Sequence, residues 1–311
     1  MDEIFFRTLP FFAVVGLGYL AARARFISAE ATAGLTRFVF YFALSAMLFR
    51  FAASLSVGEI FDLPFVLAYL SACAVVYALA FAVALMRRTG TAEAAIEAQC
   101  AVIGNTGFLG VPMLVALLGP EAAGPILLLL ALDLIVFSSL FTLVVTALRE
   151  GRIRPAGVLA GLVGNPMIAS MALGLAFGAT GWTMPAPAAD FLTMLGAAAT
   201  PGALFAIGAS LAGRSAERLA VASWLAFAKI VLHPVAVAVA ALWVFDVDPF
   251  AAGVMIAASA LPVAGNVYIL AASYGIAPQR VSSAILISTA ASIVTVTWVI
   301  AEITGGVLGT P

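Results

Sequence analysis

Few side chains in this chain of 311 residues can do chemistry, and those that can stand inside apolar runs. Asp133 interrupts Leu127-Leu128-Leu129-Leu130-Ala131-Leu132, and Lys229 lies about ten residues into another such run. His233, the single histidine, follows four residues later on the same helical face. A charged group at bilayer depth costs roughly 2.5 to 3.5 kcal/mol on insertion scales, so each one is a functional candidate by default. Asp133, tuned by Lys229 or His233, reads as a proton- or cation-responsive group. The same residues also read as a fixed ion pair that holds helix register.

A second set of candidates is built from helix breakers. Gly104-Asn105-Thr106-Gly107-Phe108-Leu109-Gly110-Val111-Pro112 and Leu261-Pro262-Val263-Ala264-Gly265-Asn266 each put glycine, proline and asparagine in the middle of an apolar run. Glycine entropy and the missing proline N–H disfavour continuous helix at both places. The half-helices left behind present free N–H groups suited to an anion and free carbonyls suited to a cation. Asn105 and Asn266 add amides able to hold a carboxylate or a neutral polar group. The plainer alternative is two kinks with packing glycines and asparagines bonded between helices. The matching positions of the breaks, described below, favour a site, with Asn105, Thr106, Gly107, Pro112, Pro262 and Asn266 as its substrate contacts.

Other chemistries lack their residues. There is no Gly-x-x-x-x-Gly-Lys-Ser/Thr phosphate loop, so energy must come from a gradient. One histidine with two separated cysteines, Cys73 and Cys100, cannot supply a usual zinc set, and no Gly-x-Ser-x-Gly elbow is present. The cysteines read as small core residues. No cofactor or metal is expected beyond a coupling proton or sodium ion, and an intramembrane enzyme is the remote reading. A formal net charge of −1 gives no reason to expect nucleic acid.

The elements that must position these residues are membrane helices. The chain is 64% hydrophobic and 9% charged, and apolar runs long enough to cross a hydrocarbon core of ~30 Å recur along it. In lipid such runs must be helices, because open strands leave their backbone unsatisfied. Cutting at charged and turn-rich stretches gives spans near 4–22, 31–52, 63–86, 96–118, 123–148, 156–179, 190–211, 220–243, 250–273 and 280–303. The first follows Asp2 and Glu3 with no basic region or cleavage signal, and is expected to be retained.

Arg23, Arg25, Arg87, Arg88, Arg149, Arg152, Arg154, Arg214, Arg218 and Arg280 all fall in odd-numbered loops. Glu59, Asp62, Glu121, Asp190, Asp246 and Asp248 fall in even-numbered ones. The positive-inside rule makes the odd loops cytoplasmic and both termini extracytoplasmic, in a multi-pass protein of the cell (inner) membrane. Arg7, Arg37, Arg50 and Glu97 lie nearer helix ends and are expected to snorkel to the interface.

A constant spacing of 156 relates the halves: Pro10 to Pro166, Gly18 to Gly174, Leu48-Phe49 to Leu204-Phe205, Ala53-Ser54-Leu55 to Ala209-Ser210-Leu211, and Gly119 to Gly275. It predicts two five-helix repeats, 1–150 and 156–306, with the second inverted because each holds an odd number of helices. It lays the break at 105–110 on 261–266 and places Thr289 opposite Asp133, adding Thr289 to the coupling set of Asp133, Lys229 and His233. Inverted repeats with broken helices are the architecture of many secondary transporters.

The run Gly104 to Pro112, with Leu261 to Asn266 and Tyr274-Gly275, resembles the auxin efflux carrier family, which includes plant PIN-type auxin exporters and bacterial carriers of malonate or malate. Asn165-Pro166, Thr200 to Gly208, Lys229 and His233-Pro234 extend the resemblance over essentially the whole chain. It implies an all-α membrane fold of ten helices related to bile-acid symporters and sodium/proton antiporters. A scaffold domain and a transport domain, with crossed fourth and ninth helices, would work by elevator-type alternating access. The implied substrate is a small organic anion at the crossover, with lipid around the protein and a candidate homodimer through the scaffold. A sodium- or proton-coupled carrier of a bile-acid-like or nucleoside-like solute is the alternative. The plant exporters carry a long loop between the halves, where this chain has only Arg149 to Pro155.

Overall fold

The computed structural model describes residues 2–55, 62–150, 157, 159, 162–213 and 219–305, and every regular element among them is a helix. Glu59, Arg152, Arg154, Arg214 and Arg218 lie outside the described residues, as do the linker after Glu150 and the first residues of the expected sixth span.

In chain order the helices are α1 (Asp2–Arg23), α2 (Ala29–Ala53), α3 (Leu63–Met86), α4 (Thr91–Val102), α5 (Thr106–Leu118), α6 (Pro120–Val145), α7 (Pro166–Ala179), α8 (Ala186–Ala212), α9 (Leu219–Val244), α10 (Pro249–Ser259), α11 (Gly265–Tyr274) and α12 (Pro278–Thr304). Six of them, α2, α3, α6, α8, α9 and α12, are long and apolar enough to cross a membrane unbroken. The expected fourth and ninth spans are instead two short helices each, α4 with α5 and α10 with α11, and the interruptions fall at 103–105 and 260–264. Glycine and proline stop the helical ladder there, as the sequence requires.

Start signals are local. Ser28 accepts a hydrogen bond from the Ala31 N–H ahead of α2, Asn165 from Met167 ahead of α7, and Asp248 from Ala251 ahead of α10. Wide π turns interrupt three long helices at Val39–Ala43, Asp133–Phe137 and Ala228–Leu232, another opens α5 at Thr106–Gly110, and a fifth closes α9 at Ala240–Val244. π turns gather at functional places because they re-aim the following side chains, and these carry Thr106, Asp133 and Lys229.

The core lies around the two half-helices that lead into the breaks: every residue of α4 from Ala94 to Val102 and of α10 from Ala252 to Ser259 is buried. The outer surface is apolar, with Leu17, Val75, Trp243 and Val294 exposed, as a lipid-facing surface must be.

Close packing between long helices rests on glycine. A Cβ at Gly18 of α1 would meet the Phe205 carbonyl of α8, and one at Gly174 of α7 would lie 2.5 Å from the Phe49 carbonyl of α2. Gly18 and Gly174 are 156 apart, and so are Phe49 and Phe205, so the two contacts are counterparts under the sequence spacing. Gly119 and Gly275 also share that spacing, and both take positive φ, 99° and 64°, where they end α5 and α11.

Glu97 does not snorkel. It is buried on α4, 2.5 Å from Arg280 of α12 and paired with Arg87 at the end of α3, while Arg280 also reaches Glu93 at 3.1 Å. Two arginine partners, one at the end of the preceding helix and one 183 residues away, offset the cost of burial, which position along one helix cannot reveal.

Candidate functional site

The two breaks meet. Asn105 donates its N–H to the Pro262 carbonyl at 2.8 Å, Ala264 donates to Ile103 at 3.1 Å, and Gly104 faces Val263 as a single antiparallel bridge. Two chains that have left the helical ladder thus satisfy each other at depth, which lipid cannot do. The Val263 N–H is taken by the Ser288 hydroxyl of α12 at 3.1 Å, so a side chain completes the accounting. Asn105 also accepts from Leu109 and Gly110 at 3.0 and 2.9 Å, which seats the first turn of α5.

Four helix ends converge here. α5 and α11 begin at the junction, with first-turn N–H groups that have no acceptor within their own helix; α4 and α10 end there and leave carbonyls. Positive and negative ends of helix dipoles therefore lie side by side.

The negative end of α10 is already neutralised by the chain itself. Lys229 is fully buried, with Nζ 2.5 Å from the Ser259 carbonyl oxygen and 3.1 Å from His233 Nδ1. His233 Nε2 lies 3.1 Å from the Cys73 Sγ of α3, one turn from Tyr69. Tyr69 donates to Asp133 Oδ1 at 2.6 Å, and Thr106 lies beside the same carboxylate. Asp133, Tyr69, Cys73, His233 and Lys229 thus form a buried polar file from the α6 π turn to the end of α10. Of its members, Tyr69 and Cys73 escape sequence reasoning because tyrosine and cysteine are ordinary in apolar helices. Ser259 and Ser288 escape it for the same reason.

The positive ends open on a cavity of about 470 Å³, whose wall includes Gly104, Asn105, Gly107, Gly265 and Asn266 from the junction and Asp133 from α6. Phe40 and Phe108, stacked at 6.1 Å between ring centroids, and Arg37 of α2 complete one side. The Asn266 Oδ1 is buried with no hydrogen-bond partner among the described residues. Rotation of that amide would present its NH₂ instead. A Cβ at Gly107 would meet the Met167 methyl of α7, the far end of a flexible side chain.

A second cavity, of about 860 Å³, adjoins the first along Thr36, Arg37, Asn105, Phe108, Gly265, Asn266 and Ile269. Its remaining wall comes from the end of α1, the start of α2 and the end of α8, and its charged side chains are Arg23, Arg25 and Arg37. Arg23 and Arg25 come from the end of α1 and the turn after it.

Of the residues expected at the site, Asn105, Gly107 and Asn266 line the first cavity, and Thr106 is buried directly beneath it. Pro262 is held in the bridge by its carbonyl. Pro112 is buried within α5 and lines neither cavity. Asp133 lines the first cavity, Lys229 and His233 lie behind it, and Thr289 is buried on α12 with its carbonyl accepting from Ser292.

Comparison with known proteins adds an independent observation. The model of the family described as "Membrane transport protein" matches residues 4–154 and 155–300. A protein of Rhizobium meliloti (strain 1021) that bears the name "Putative malonate transporter" is 33% identical over 314 residues, which is 99% of this chain and 98% of that protein.

Proposed function

The chain belongs to the membrane transport protein family, the auxin efflux carriers, and from that premise we propose that it carries a small organic anion by secondary or facilitative transport through the junction of its broken helices. Membership makes it a multi-pass membrane transporter and not an enzyme. The observation that carries the proposal is the pairing of opposite helix ends. The N-termini of α5 and α11 open on the 470 Å³ cavity, and the chain's own Lys229 neutralises the carbonyl end of α10. With the Ile103 carbonyl after α4 accepting from Ala264, the helix ends that face the cavity are the N-termini of α5 and α11, and they suit a carboxylate. The name of the Rhizobium relative makes malonate the first candidate.

The reading extends to mechanism. The halves 1–150 and 156–306 are inverted five-helix repeats of a ten-helix fold. Its support is the paired contacts Gly18 with Phe205 and Gly174 with Phe49, and the shared positive φ of Gly119 and Gly275. In this scheme α4, α5, α10 and α11 cross within a transport domain that moves against a scaffold containing α1, α2, α7 and α8, in elevator fashion. Both termini are extracytoplasmic in the cell (inner) membrane, so the 860 Å³ cavity is a cytoplasmic vestibule. A scaffold-mediated homodimer fits the exposed apolar faces.

Coupling, where present, falls to the file from Asp133 to Lys229. Lys229 stands where a bound cation would meet the α10 carbonyls, which favours a proton over sodium as coupling ion. Counterflow of malonate and a panel of other carboxylates in proteoliposomes, with and without sodium and at several pH values, tests the proposal. Counterflow confined to a bile-acid-like or nucleoside-like solute, and dependent on sodium, would replace it with the other carrier reading.

A further inference from the structure

Arg37 occupies a place that neither the family nor the crossover reading assigns. It lies on α2 just before the Val39–Ala43 π turn, and it is part of the wall of both cavities where they adjoin. Sequence position alone makes it a snorkelling residue. The structure gives it a different setting, because it faces the same space as Asn105 and Asn266.

The charges around that space are few. In the first cavity they are Arg37 and Asp133; in the second, Arg23, Arg25 and Arg37. Asp133 is engaged by Tyr69, and Lys229 is buried behind the wall on Ser259 and His233. Arg37 is then the cation that a solute at the junction can reach. Among the described residues no carboxylate or hydroxyl pairs with its guanidinium, whereas Arg87 and Arg280 both hold carboxylates. Arg37 is an exposed residue on the wall of both cavities, and a planar fork of donors without a countercharge is suited to take a carboxylate in two parallel hydrogen bonds.

We infer that Arg37 is a substrate-binding residue that takes one carboxylate of the solute while the N-termini at Gly265 and Asn266 hold the other, and that it thereby sets the preference for doubly over singly charged anions. The inference rests on the transport reading and adds a residue and a selectivity to it. A singly charged solute satisfies the junction and leaves the guanidinium unpaired. A short dicarboxylate satisfies both. Arg23 and Arg25, in the outer cavity, draw anions inward without choosing between them.

The test is binding of malonate and of monomethyl malonate to the full-length protein in detergent, by calorimetry, for wild type, Arg37→Gln, Arg37→Lys and Arg50→Gln. Arg50 lies on the same helix and lines neither cavity. Arg37→Gln is expected to weaken malonate about tenfold or more while changing the monoester by less than about threefold. Arg37→Lys should fall between, and Arg50→Gln should match wild type. Should Arg37→Gln fail to fold, the Arg37→Lys ratio of the two ligands carries the same decision. Equal losses for both ligands, or none, would overturn the inference and leave the transport reading standing. The inference falls likewise if the arginine matters only in vesicles containing phosphatidylglycerol and not in phosphatidylcholine, which would make it a headgroup contact. Wild-type protein that binds neither ligand would overturn the inference and remove malonate as the solute, leaving the transport reading to the counterflow of the other carboxylates.

Discussion

Lys229 Nζ stands 2.5 Å from the carbonyl oxygen of Ser259, at the point where α10 gives way to the bridge with α4. A buried ammonium at a helix C-terminus is stabilised by the carbonyls it meets, and here it offsets the negative end of α10 beside the positive ends of α5 and α11. Gly104 comes so close that a Cβ on it would lie 3.2 Å from the same Nζ and 3.3 Å from the Ala258 carbonyl.

That crowding gives the first prediction. Gly104→Ala should lower transport about tenfold or more, since the ammonium and the bridge must shift by a few tenths of an ångström to admit a methyl group. Gly90→Ala, where a Cβ meets nothing within 4 Å, should leave transport rates as they are. Equal rates in both variants would show that Lys229 is not held as described.

Helix packing gives the second. At Gly208 a Cβ would strike the Val15 carbonyl, and at Gly18 the Phe205 carbonyl, both backbone atoms with no rotamer to adjust. Gly208→Ala or Gly18→Ala should each destabilise the protein by about 1–3 kcal/mol or more. Gly16→Ala, with open space around it, is the neutral control in a thermal melt in detergent.

The ion cluster gives the third. Glu97 is buried between Arg280 and Arg87, so Glu97→Leu leaves the buried Arg280 with only the partly exposed Glu93 and should cost up to about 3–5 kcal/mol. Glu97→Leu combined with Arg280→Met should recover part of that loss. A double variant no more stable than the single one would mean that the two side chains are not partners.

The fourth concerns pH. Asp133 lines the cavity and begins the file through Tyr69, Cys73 and His233 to Lys229. If transport is proton-coupled through it, Asp133→Asn should flatten the pH profile of uptake measured between about pH 5 and 8. A profile parallel to that of wild type would leave Asp133 as a structural group bonded to Tyr69.

How far the sequence reveals this arrangement depends on the kind of signal. Helical membrane character and the two breaks are legible because glycine and proline in an apolar run have few structural outcomes. Asn105 and Asn266 stand out for the same reason, and both reach the cavity wall. Pro112 shares their motif but points elsewhere, since a run of breakers marks where a helix stops and not which residues face the space beyond. The partner of Asp133 is less legible. Sequence depth suggests Lys229, and the structure interposes Tyr69, Cys73 and His233, whose proximity is set by how α3 and α9 pack. Glu97 looks like a snorkelling residue by position, and Arg280 of α12 gives it different surroundings.

The central claim is that the junction of the broken helices binds and moves a carboxylate. Malonate counterflow in proteoliposomes bearing wild type and the double variant Asn105→Ala with Asn266→Ala tests it most directly, with the melting temperature of each protein measured alongside. The account predicts counterflow by wild type and its loss in a double variant that still melts as a folded protein. Counterflow by that variant at the wild-type rate would contradict it.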